Sequence, residues 1–546
     1  MSGLGPPSLG ASRFRGPLTR RRFLQLAGAF GGSSLVFQAL DAWGMDMSST
    51  RSAPPPLSGS GQGKRVIILG AGLSGMAAAY ELSRLGYETP ILEARDEVGG
   101  RCKTIRGGTE VRELGGGTRR CEFDEGHYLN PGPWRIPSEH TSVLHYCREL
   151  EVPLEVLVNS NPWGWIRLDG MEGPLSGRRL RQAEVTADMR GHTTELLARS
   201  VHQNALDLEL SAEDKERLVA YLVHEGHLAN EDAVYRGATR RGWTVPPGAA
   251  EPGQPSDPHD FLSLLQSGLG TGFPPRWGPT GTVFQPVGGM DRLADGFERK
   301  VGHHIRTSRE VREIRQDEDG VRVIWAHTRT GETGVLTGDY CICTIPLTIL
   351  INIPSDLSGE VQRAMRGLAY TPSGKIGLQF RRRFWEEDDG IYGGYSVTNA
   401  EWSGDGHVTY PSSGWNRRKG VIQVYYGHGG DAVRVSAMSP EERIEHGLSI
   451  GERVHPGVFR EEFETGTSFF WHLEPWSLGG YASWSMEGRQ NHFPRLLEPD
   501  GRIYLAGEHV SHLTSWMAGS IESAWMQIER IHRRAAQESG SARGDT

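Results

Sequence analysis

A strand, a glycine-rich turn, a helix and a second strand stand in order near the start of the chain and constrain its fold most strongly. Residues 66–69 are apolar and mostly β-branched, which is typical of a buried parallel strand. Gly70, Gly72 and Gly75 then match G-x-G-x-x-G, an alanine-rich helical segment follows, and the second strand ends at Glu93. Such glycines let the backbone approach a pyrophosphate, the helix N-terminus faces its charge, and the acid meets a ribose hydroxyl. The sequence therefore predicts a dinucleotide-binding βαβ unit.

The loop after Glu93 narrows the choice of dinucleotide. A carboxylate would repel a 2′-phosphate, so we expect an unphosphorylated adenosine ribose. Arg95, Gly100 and Arg101 lie in a stretch in which the glutamate is followed by five residues and then Gly-Gly-Arg. This arrangement resembles the second signature of FAD enzymes of the amine oxidase and glutathione reductase type, in which the loop and its arginine wrap the cofactor. The resemblance favours FAD over NAD.

The C-terminal part of the chain resembles the other half of such a flavin site. Residues 502–508 have the pattern of a short strand that ends in Gly-Glu, with Glu508 as the acid, and residues 520–534 carry the apolar stripe of a helix that includes Ile521. In the flavin amine oxidases the matching acid lies on the ribityl chain, and the helix points its positive end at the flavin pyrimidine. The resemblance implies that Glu508 and Ile521 contact FAD.

From about residue 63 to residue 535 the chain resembles the flavin L-amino acid oxidases, a branch of the amine oxidase superfamily. Residues 132–137, Gly-Pro-Trp-Arg-Ile-Pro, are similar to a family segment whose arginine grips the substrate carboxylate. This implies that Arg135 binds substrate and that Trp134 and Arg135 lie at the cofactor. A guanidinium fork suits the role because it matches a carboxylate bidentately and stays charged when desolvated.

Further motifs extend the resemblance to the catalytic residues. Tyr410 stands where the family has a second carboxylate ligand, and Lys375 stands where its lysine holds a water against flavin N5. Trp476 and Trp516 match rings that the family stacks beside flavin and substrate, and Val311 matches a valine whose backbone pairs with adenine. A solvated lysine and two core tryptophans are the plainer alternatives, since a single ring is more often core than pocket wall.

The flavin signatures near residues 66 and 508 require a discontinuous domain. We expect an α/β fold (mixed α+β) with a Rossmann-like FAD-binding domain, a mixed-sheet substrate domain and a helical domain. The expected boundaries are 1–63 for an export signal and linker, 64–134, 276–346 and 484–546 for the FAD-binding domain, 135–174 and 347–483 for the substrate domain, and 175–275 for the helical domain. The insertion at 113–128 has no predicted role.

The first residues predict export rather than fold. Residues 19–24, Thr-Arg-Arg-Arg-Phe-Leu, are followed by a weakly apolar stretch shorter than the ~20 residues of a bilayer span. This is typical of a twin-arginine signal, so we expect passage through the Tat export machinery to the periplasm or the exterior, with the cofactor loaded beforehand. The cleavage site stays open.

Charge and cysteine content exclude other classes of protein. Lys and Arg number 59 against 67 Asp and Glu, a net charge of −8, which argues against a general nucleic-acid binder. Five cysteines are too few for a disulfide scaffold, and we expect no metal site. Cys341 and Cys343 would face the same side of a strand and are predicted to be core. A homodimer is left open.

The resemblance implies an FAD-dependent L-amino acid oxidase in which a hydride passes from Cα to flavin N5. The imino acid then hydrolyses to a 2-oxo acid and ammonia, and O2 is reduced to H2O2. Thr514 and Ser515 precede Trp516 where covalent relatives carry a cysteine, so FAD is expected to be non-covalent. The alternatives are a monooxygenase that forms an amide, an amine or polyamine oxidase, and a flavin-bearing binding protein. The preferred substrate side chain is not predicted.

Overall fold

The computed structural model describes residues 49, 51–206, 210–250, 252–269 and 282–541, and the predicted export signal at 19–40 lies outside them. A sheet of parallel strands is assembled from three separated stretches of chain, in the order Ile305–Arg306, Ile91–Leu92, Val66–Leu69, Tyr340–Cys343 and Ile503–Leu505. Strands with both faces covered should be apolar throughout. Every residue of Val66–Leu69 and Tyr340–Cys343 is indeed buried.

The two faces of this parallel sheet carry different layers. Val66 and Ile68 pack against helices, whereas Ile67 and Leu69 pack against an antiparallel sheet, as the two-residue period of a strand requires. The helices of the first layer are Leu73–Arg84, Thr141–Glu149, Arg292–Val301 and Met517–Ser541. The second layer contains strands Arg309–Gln316, Val321–His327 and Thr333–Gly338 and helices Leu347–Leu350, Gly359–Arg366 and Phe493–Leu497.

A seven-stranded mixed sheet forms the second large unit. Its order is Leu180–Arg181, Trp165–Arg167, Tyr395–Thr398, His407–Thr409, Gly420–His428, Ser373–Phe380 and Phe463–Phe470. One face packs on helices Phe384–Glu387, Gly429–Ser436, Pro440–Val454 and Val458–Glu461. Together with the parallel sheet, this confirms the predicted α/β fold class.

A helical region stands beside the seven-stranded sheet and contains Gln182–His202, Ala212–Gly226 and Phe261–Gln266. Its interior holds an ion pair of two fully buried side chains, Arg241 and Asp188, whose nitrogen and oxygen lie 2.5 Å apart. Ser211 caps the second helix by accepting a hydrogen bond from the backbone of Asp214. This pair and this cap explain how a charged stretch of sequence forms helices.

Short strands complete the described chain. Four two-stranded pairs are Ile105–Arg106 with Tyr128–Leu129, Glu110–Arg112 with Thr118–Arg120, Ala369–Thr371 with Tyr481–Ser483, and Trp243–Val245 with Gln254–Pro255. A three-stranded sheet has Val283–Pro286 in the middle, with Ile136–Pro137 and Leu154–Val156 at its edges. One further helix is Met486–Asn491. The insertion at 113–128 is anchored by Glu113, which accepts two hydrogen bonds from Arg443, of 2.7 and 2.9 Å.

All five cysteines are buried thiols, and Cys341 and Cys343 lie in the same core cluster, as predicted for one strand face. In the described ranges, no helix has the length and apolar character needed to cross a bilayer. The same ranges contain no group of three His, Cys, Asp or Glu side chains that could hold a metal ion.

Candidate active site

The glycine-rich turn and the acid of the neighbouring strand lie together at the carboxyl edge of the parallel sheet. The backbone N–H of Ala71 donates to Glu93 Oε2 at 2.7 Å, and that of Arg95 donates to Oε1 at 2.9 Å. Burial raises the pKa of Glu93, although the charge of Arg95 opposes the shift. A Cβ on Gly75 would lie 2.0 Å from the carbonyl oxygen of Gly70, so only glycine lets the helix pack this closely.

This edge has both room and unused polar groups for a dinucleotide. A Cβ on Gly72 would meet nothing within 4 Å, so open space lies in front of its backbone. The buried hydroxyl of Ser74, at the start of helix Leu73–Arg84, makes no hydrogen bond within the described part of the chain. Gly100, at a φ of +59°, lies in the loop that borders Gly72. The residues fit FAD, with the turn and Ser74 for the pyrophosphate and Glu93 for the ribose.

Glu508 follows the last strand of the parallel sheet and binds Arg101. Arg101 Nη1 lies 2.7 Å from its Oε1, and the backbone N–H groups of Ala482 and Ser515 donate to the same carboxylate at 3.1 and 2.9 Å. Burial alone would raise the pKa of Glu508, but the attraction of Arg101 outweighs it and holds the pKa below its ordinary value. The two residues, predicted separately from distant motifs, therefore form one ion pair.

Arg95 and Trp476 lie together beside Glu474. Arg95 donates to both carboxylate oxygens at 3.1 and 2.7 Å and to Ser477 Oγ at 2.9 Å. The backbone N–H of Trp476 donates to the same carboxylate at 3.0 Å. The fork of Arg95 thus joins two parts of the protein, and the backbone of Trp476 shares Glu474 with it.

Arg135 lies between two tryptophan rings. Its Cζ is 5.2 Å from the ring centroid of Trp134 and 5.5 Å from that of Trp516, and Nη1 donates to Asn159 Oδ1 at 3.3 Å. The residue is 8% exposed, and burial lowers the pKa of its guanidinium to about 10, so it stays charged at neutral pH. A charged fork with little water around it has the chemistry of a carboxylate receptor.

Lys375 anchors the segment that leads to Arg135. Its Nζ donates to the carbonyl oxygens of Asn130 at 2.9 Å and Gly132 at 2.7 Å, and it lies 4.4 Å from the ring centroid of Tyr426. Burial, and then the charge of Arg135, lowers the pKa of Lys375 well below its ordinary value. An ammonium has three donors, so one of them is left for a water or a ligand.

Six side chains share the face of the seven-stranded sheet opposite its helices; we call it the pocket face. The strand register pairs Lys375 with Tyr426 and Tyr395 with Thr409, and the pairing of Thr409 with Gln423 joins the two halves. The Tyr395 ring stacks on His407 with centroids 4.2 Å apart, and its buried hydroxyl finds no hydrogen-bonding group among the residues described. The pocket face comprises Lys375, Tyr395, His407, Thr409, Tyr426 and His428.

Tyr410 points away from this pocket face, which corrects its predicted role. It follows Thr409 in an extended strand, so its side chain projects to the opposite side, toward the helices. Its hydroxyl shares hydrogen bonds of 2.6 Å with Ser396 Oγ and with His455 Nε2. A phenol held by two buried partners on that side does not share a ligand with Arg135.

Two residues that were predicted to contact the cofactor, Ile521 and Val311, have side chains in the hydrophobic core. Ile521 lies one turn inside helix Met517–Ser541, and its side chain is fully buried in the core. The free N–H groups of a helix belong to its first turn, so they precede Ile521. Val311 is buried in a strand whose register shifts just after it, and that strand begins where the backbone N–H of Arg309 donates to the carbonyl of Glu93 at 2.7 Å. The pairing of Val311 with adenine stays a prediction.

Three polar residues around the pocket face were missed in the sequence. Asp405 Oδ1 lies 3.5 Å from His428 Nε2, and His428 Nδ1 lies 3.4 Å from the Tyr481 hydroxyl. Tyr481 follows Trp476 by five residues, so the match at Trp476 pointed to the right segment but to another ring. Asp405 stands between two glycines in a loop, and this Gly-Asp-Gly pattern was the available signal.

Comparison with known proteins identifies the family. The model of the flavin containing amine oxidoreductases matches residues 73–230 and 256–532. The chain is 28% identical over 498 residues to the flavin-dependent L-tryptophan oxidase RebO of Lentzea aerocolonigenes, covering 86% of this chain and 98% of that protein. It is 25% identical over 486 residues to an L-amino-acid oxidase of Gloydius blomhoffii, covering 87% and 90%.

A solved structure supports the same fold. Cyclohexylamine oxidase from Brevibacterium oxydans has a TM-score of 0.55 at 18% identity, over 87% of this chain and 99% of that chain. The family match spans the segments that carry Arg135, Lys375 and Glu508. The prediction of a flavin-dependent oxidoreductase is therefore confirmed, and the chain belongs to the flavin-containing amine oxidoreductase family.

Proposed function

We propose that this protein is an L-amino acid oxidase that binds FAD non-covalently and releases a 2-oxo acid, ammonia and H2O2. The observation that carries the proposal is Arg135, a charged and nearly buried guanidinium between Trp134 and Trp516. A guanidinium fork matches a carboxylate bidentately and keeps its charge where little water surrounds it, whereas a substrate without a carboxylate would not use this geometry. The L-amino acid oxidases among its relatives support the same assignment.

The pocket residues would act by orienting the substrate. The fork of Arg135 receives the α-carboxylate, and the Tyr395 hydroxyl, which has no hydrogen-bond partner among the residues that the structure describes, supplies a second directional donor from the pocket face. Two such contacts fix the direction of the Cα–H bond, which is the main contribution a protein can make to this reaction. Bound FAD would supply the redox chemistry, as the acceptor of the hydride from Cα and the donor of electrons to O2. The imino acid then hydrolyses in water, without a protein nucleophile.

Anaerobic addition of each standard amino acid to the yellow holoenzyme tests the proposal. We expect at least one L-amino acid to bleach the flavin, and its product in air to be the 2-oxo acid with ammonia and H2O2. Formation of an amide and CO2 would instead establish a monooxygenase. Bleaching by amines alone would establish an amine oxidase, and no bleaching by either class would leave a binding protein.

Tyr395→Phe and Tyr410→Phe should have opposite consequences, because the two hydroxyls lie on opposite faces of one sheet. Tyr410→Phe leaves Ser396 and His455 without their buried partner, so we expect a loss of about 1–3 kcal/mol in the free energy of unfolding with kcat/KM nearly unchanged. Tyr395→Phe removes an unpartnered hydroxyl, so stability should hold while kcat/KM falls about threefold to tenfold. Chemical denaturation and steady-state kinetics separate the effects. The reverse pattern would return Tyr410 to the substrate site.

Lys375→Met should slow reoxidation of the reduced flavin by O2 about tenfold or more, and slow its reduction by substrate less. The variant removes the one donor left at Nζ after the carbonyls of Asn130 and Gly132 are bonded, and a donor steadies the negative charge that develops on oxygen. Stopped-flow absorbance follows the two half-reactions separately. If reduction alone slows, Lys375 serves to position Arg135 through the carbonyls that it holds.

We also infer that the protein is exported through the twin-arginine route. Residues 19–24 supply the arginine motif. The parallel sheet that would bind FAD is built from three separated stretches of chain, so a chain that binds FAD before export must already be folded when it crosses the membrane. The Tat machinery, which carries folded proteins, meets that requirement.

A further inference from the structure

Asp405 places a carboxylate at the edge of the pocket face. It lies in the loop before strand His407–Thr409, where its backbone N–H donates to the carbonyl of Tyr426 at 2.9 Å. Its Oδ1 lies 3.5 Å from Nε2 of His428. Arg135 and His407 add to the positive potential around it, and together with His428 they hold its pKa below the ordinary value despite burial. The carboxylate is therefore ionised at neutral pH.

The loop that carries Asp405 is held rigidly by the glycines on either side. Gly404 and Gly406 have φ values of +67° and +70°, in the left-handed region that favours glycine. A Cβ would lie 2.2 Å from the carbonyl oxygen of Tyr426 at the first and 2.4 Å from that of Thr398 at the second. The loop thus fits tightly between two strands, and its carboxylate is preorganised rather than mobile.

Asp405 also differs from the other carboxylates near the site in how loosely it is paired. Glu474 and Glu508 each have an arginine nitrogen at 2.7 Å, and Glu93 accepts from a backbone N–H at 2.7 Å. Charge-assisted hydrogen bonds are normally about 2.7–2.9 Å long, so the 3.5 Å contact of Asp405 with His428 leaves room for a closer partner.

We propose, resting on the L-amino acid oxidase function above, that Asp405 binds a positively charged group on the substrate side chain, so that the enzyme prefers cationic L-amino acids. A substrate whose reactive amine is neutral would then carry a carboxylate for Arg135 and a cation for Asp405. The rings of Tyr395, His407 and Tyr426 share the pocket face, and aromatic surfaces favour a cation over a second anion. The presence of both Arg135 and Asp405 also disfavours substrates that would leave Asp405 unpaired.

L-Arginine and L-citrulline provide the matched comparison, because they differ in side-chain charge and hardly in shape. We expect the FAD-loaded enzyme to oxidise arginine with a kcat/KM about tenfold to a hundredfold above that for citrulline. Asp405→Asn should reduce this ratio to near one by lowering the value for arginine. Glu401→Gln, which removes an exposed carboxylate from the same loop, should leave the ratio unchanged.

Binding provides a readout that needs no turnover. The ligands 5-guanidinopentanoate and 5-ureidopentanoate keep the carboxylate and the side-chain end of arginine and citrulline but lack the α-amine. Calorimetry with the holoenzyme should show tighter binding of the guanidino compound, and Asp405→Asn should abolish the difference. An equal Kd for the two ligands, or a ratio that Asp405→Asn leaves intact, would overturn the inference. Oxidation of neutral amino acids alone would overturn it while the proposed oxidase function stands; failure of every L-amino acid would refute that function instead.

Discussion

Arg135→Met is expected to lower kcat/KM for a good L-amino acid substrate about thirtyfold to several thousandfold. The substitution removes a bidentate charged contact in a site where the residue is only 8% exposed. Leaving the carboxylate buried and unpaired costs about 2–5 kcal/mol, and each 1.4 kcal/mol corresponds to about a factor of ten. The decarboxylated amine with the same side chain has nothing to lose at this position. Steady-state kinetics with both compounds therefore measure the carboxylate contact alone.

Arg135→Lys is the matched control because it keeps the charge but loses the fork. Its loss should be intermediate, since an ammonium contacts a carboxylate as a point charge. Because Arg135 is also predicted to lie at the cofactor, the FAD content of both variants is measured by flavin absorbance and turnover is compared per bound FAD. Equal slowing of amino acid and amine at normal FAD content would show that the carboxylate role is wrong, and would favour an amine oxidase.

The dinucleotide site was predictable because its parts act locally. The turn, the helix and the acid follow one another between Gly70 and Glu93, in the order that parallel-strand geometry requires. Gly70 has a φ of +103°, a Cβ on Gly75 would lie 2.0 Å from the Gly70 carbonyl oxygen, and Gly72 leaves open space in front of its backbone. Sequence sufficed here because neither strand register nor a distant loop decides which atoms meet.

The substrate side could not be predicted in the same detail, because it depends on which face of a strand a residue occupies. Tyr410 and Thr409 are adjacent, yet one faces the helices and the other the pocket. A motif match does not determine which face of the sheet a residue occupies, since a shift of one residue in register moves every side chain of the strand to the other face. The pairing of strands Ser373–Phe380 and Gly420–His428 in the same sheet also contains a register shift, between Ile376 and Gly377.

Asp405 and Tyr395 were missed for another reason: neither stands in one of the family motifs used above, and the pairing of neighbouring strands places them on or beside the pocket face. Tyr395 reaches the pocket face through its pairing with Thr409, and Asp405 through the bond of its N–H to Tyr426. Their partners could be named only after the sheet order was known. The family signatures thus located the chemistry common to the family, whereas the residues that would choose among substrates lie between the signatures.

Two partly buried arginines connect these regions to the cofactor edge. Arg95 binds Glu474 and Arg101 binds Glu508, so the loop after Glu93 is fixed at both ends by ion pairs. These two ion pairs hold the loop in addition to the hydrogen bond that the Arg95 N–H donates to Glu93. A change at Glu93 should then be felt in the binding of FAD and very little in the positions of Arg135 or Lys375.

Glu93→Ala should yield enzyme that is largely free of FAD after purification, while the fraction that retains FAD turns over within about threefold of the parent. The carboxylate closes the turn through Ala71 and faces the predicted ribose, so its loss removes charged hydrogen bonds that contribute about 1.5–3 kcal/mol each. The ribose lies far from the carbon that is oxidised, so catalysis should hardly change. Absorbance of the flavin against protein gives the loaded fraction, and activity is divided by it.

Glu88→Ala is the control for this experiment. Glu88 lies at the opposite end of the same strand region, is exposed, and pairs with Arg65, so the variant loses a glutamate without touching the turn. It should retain FAD fully.

Acid precipitation of the parent should release all of its flavin into the supernatant, because the binding is proposed to be non-covalent. Flavin that stays with the polypeptide would refute that proposal, and turnover per bound FAD that falls tenfold or more in Glu93→Ala would show that the acid acts on catalysis rather than on the ribose.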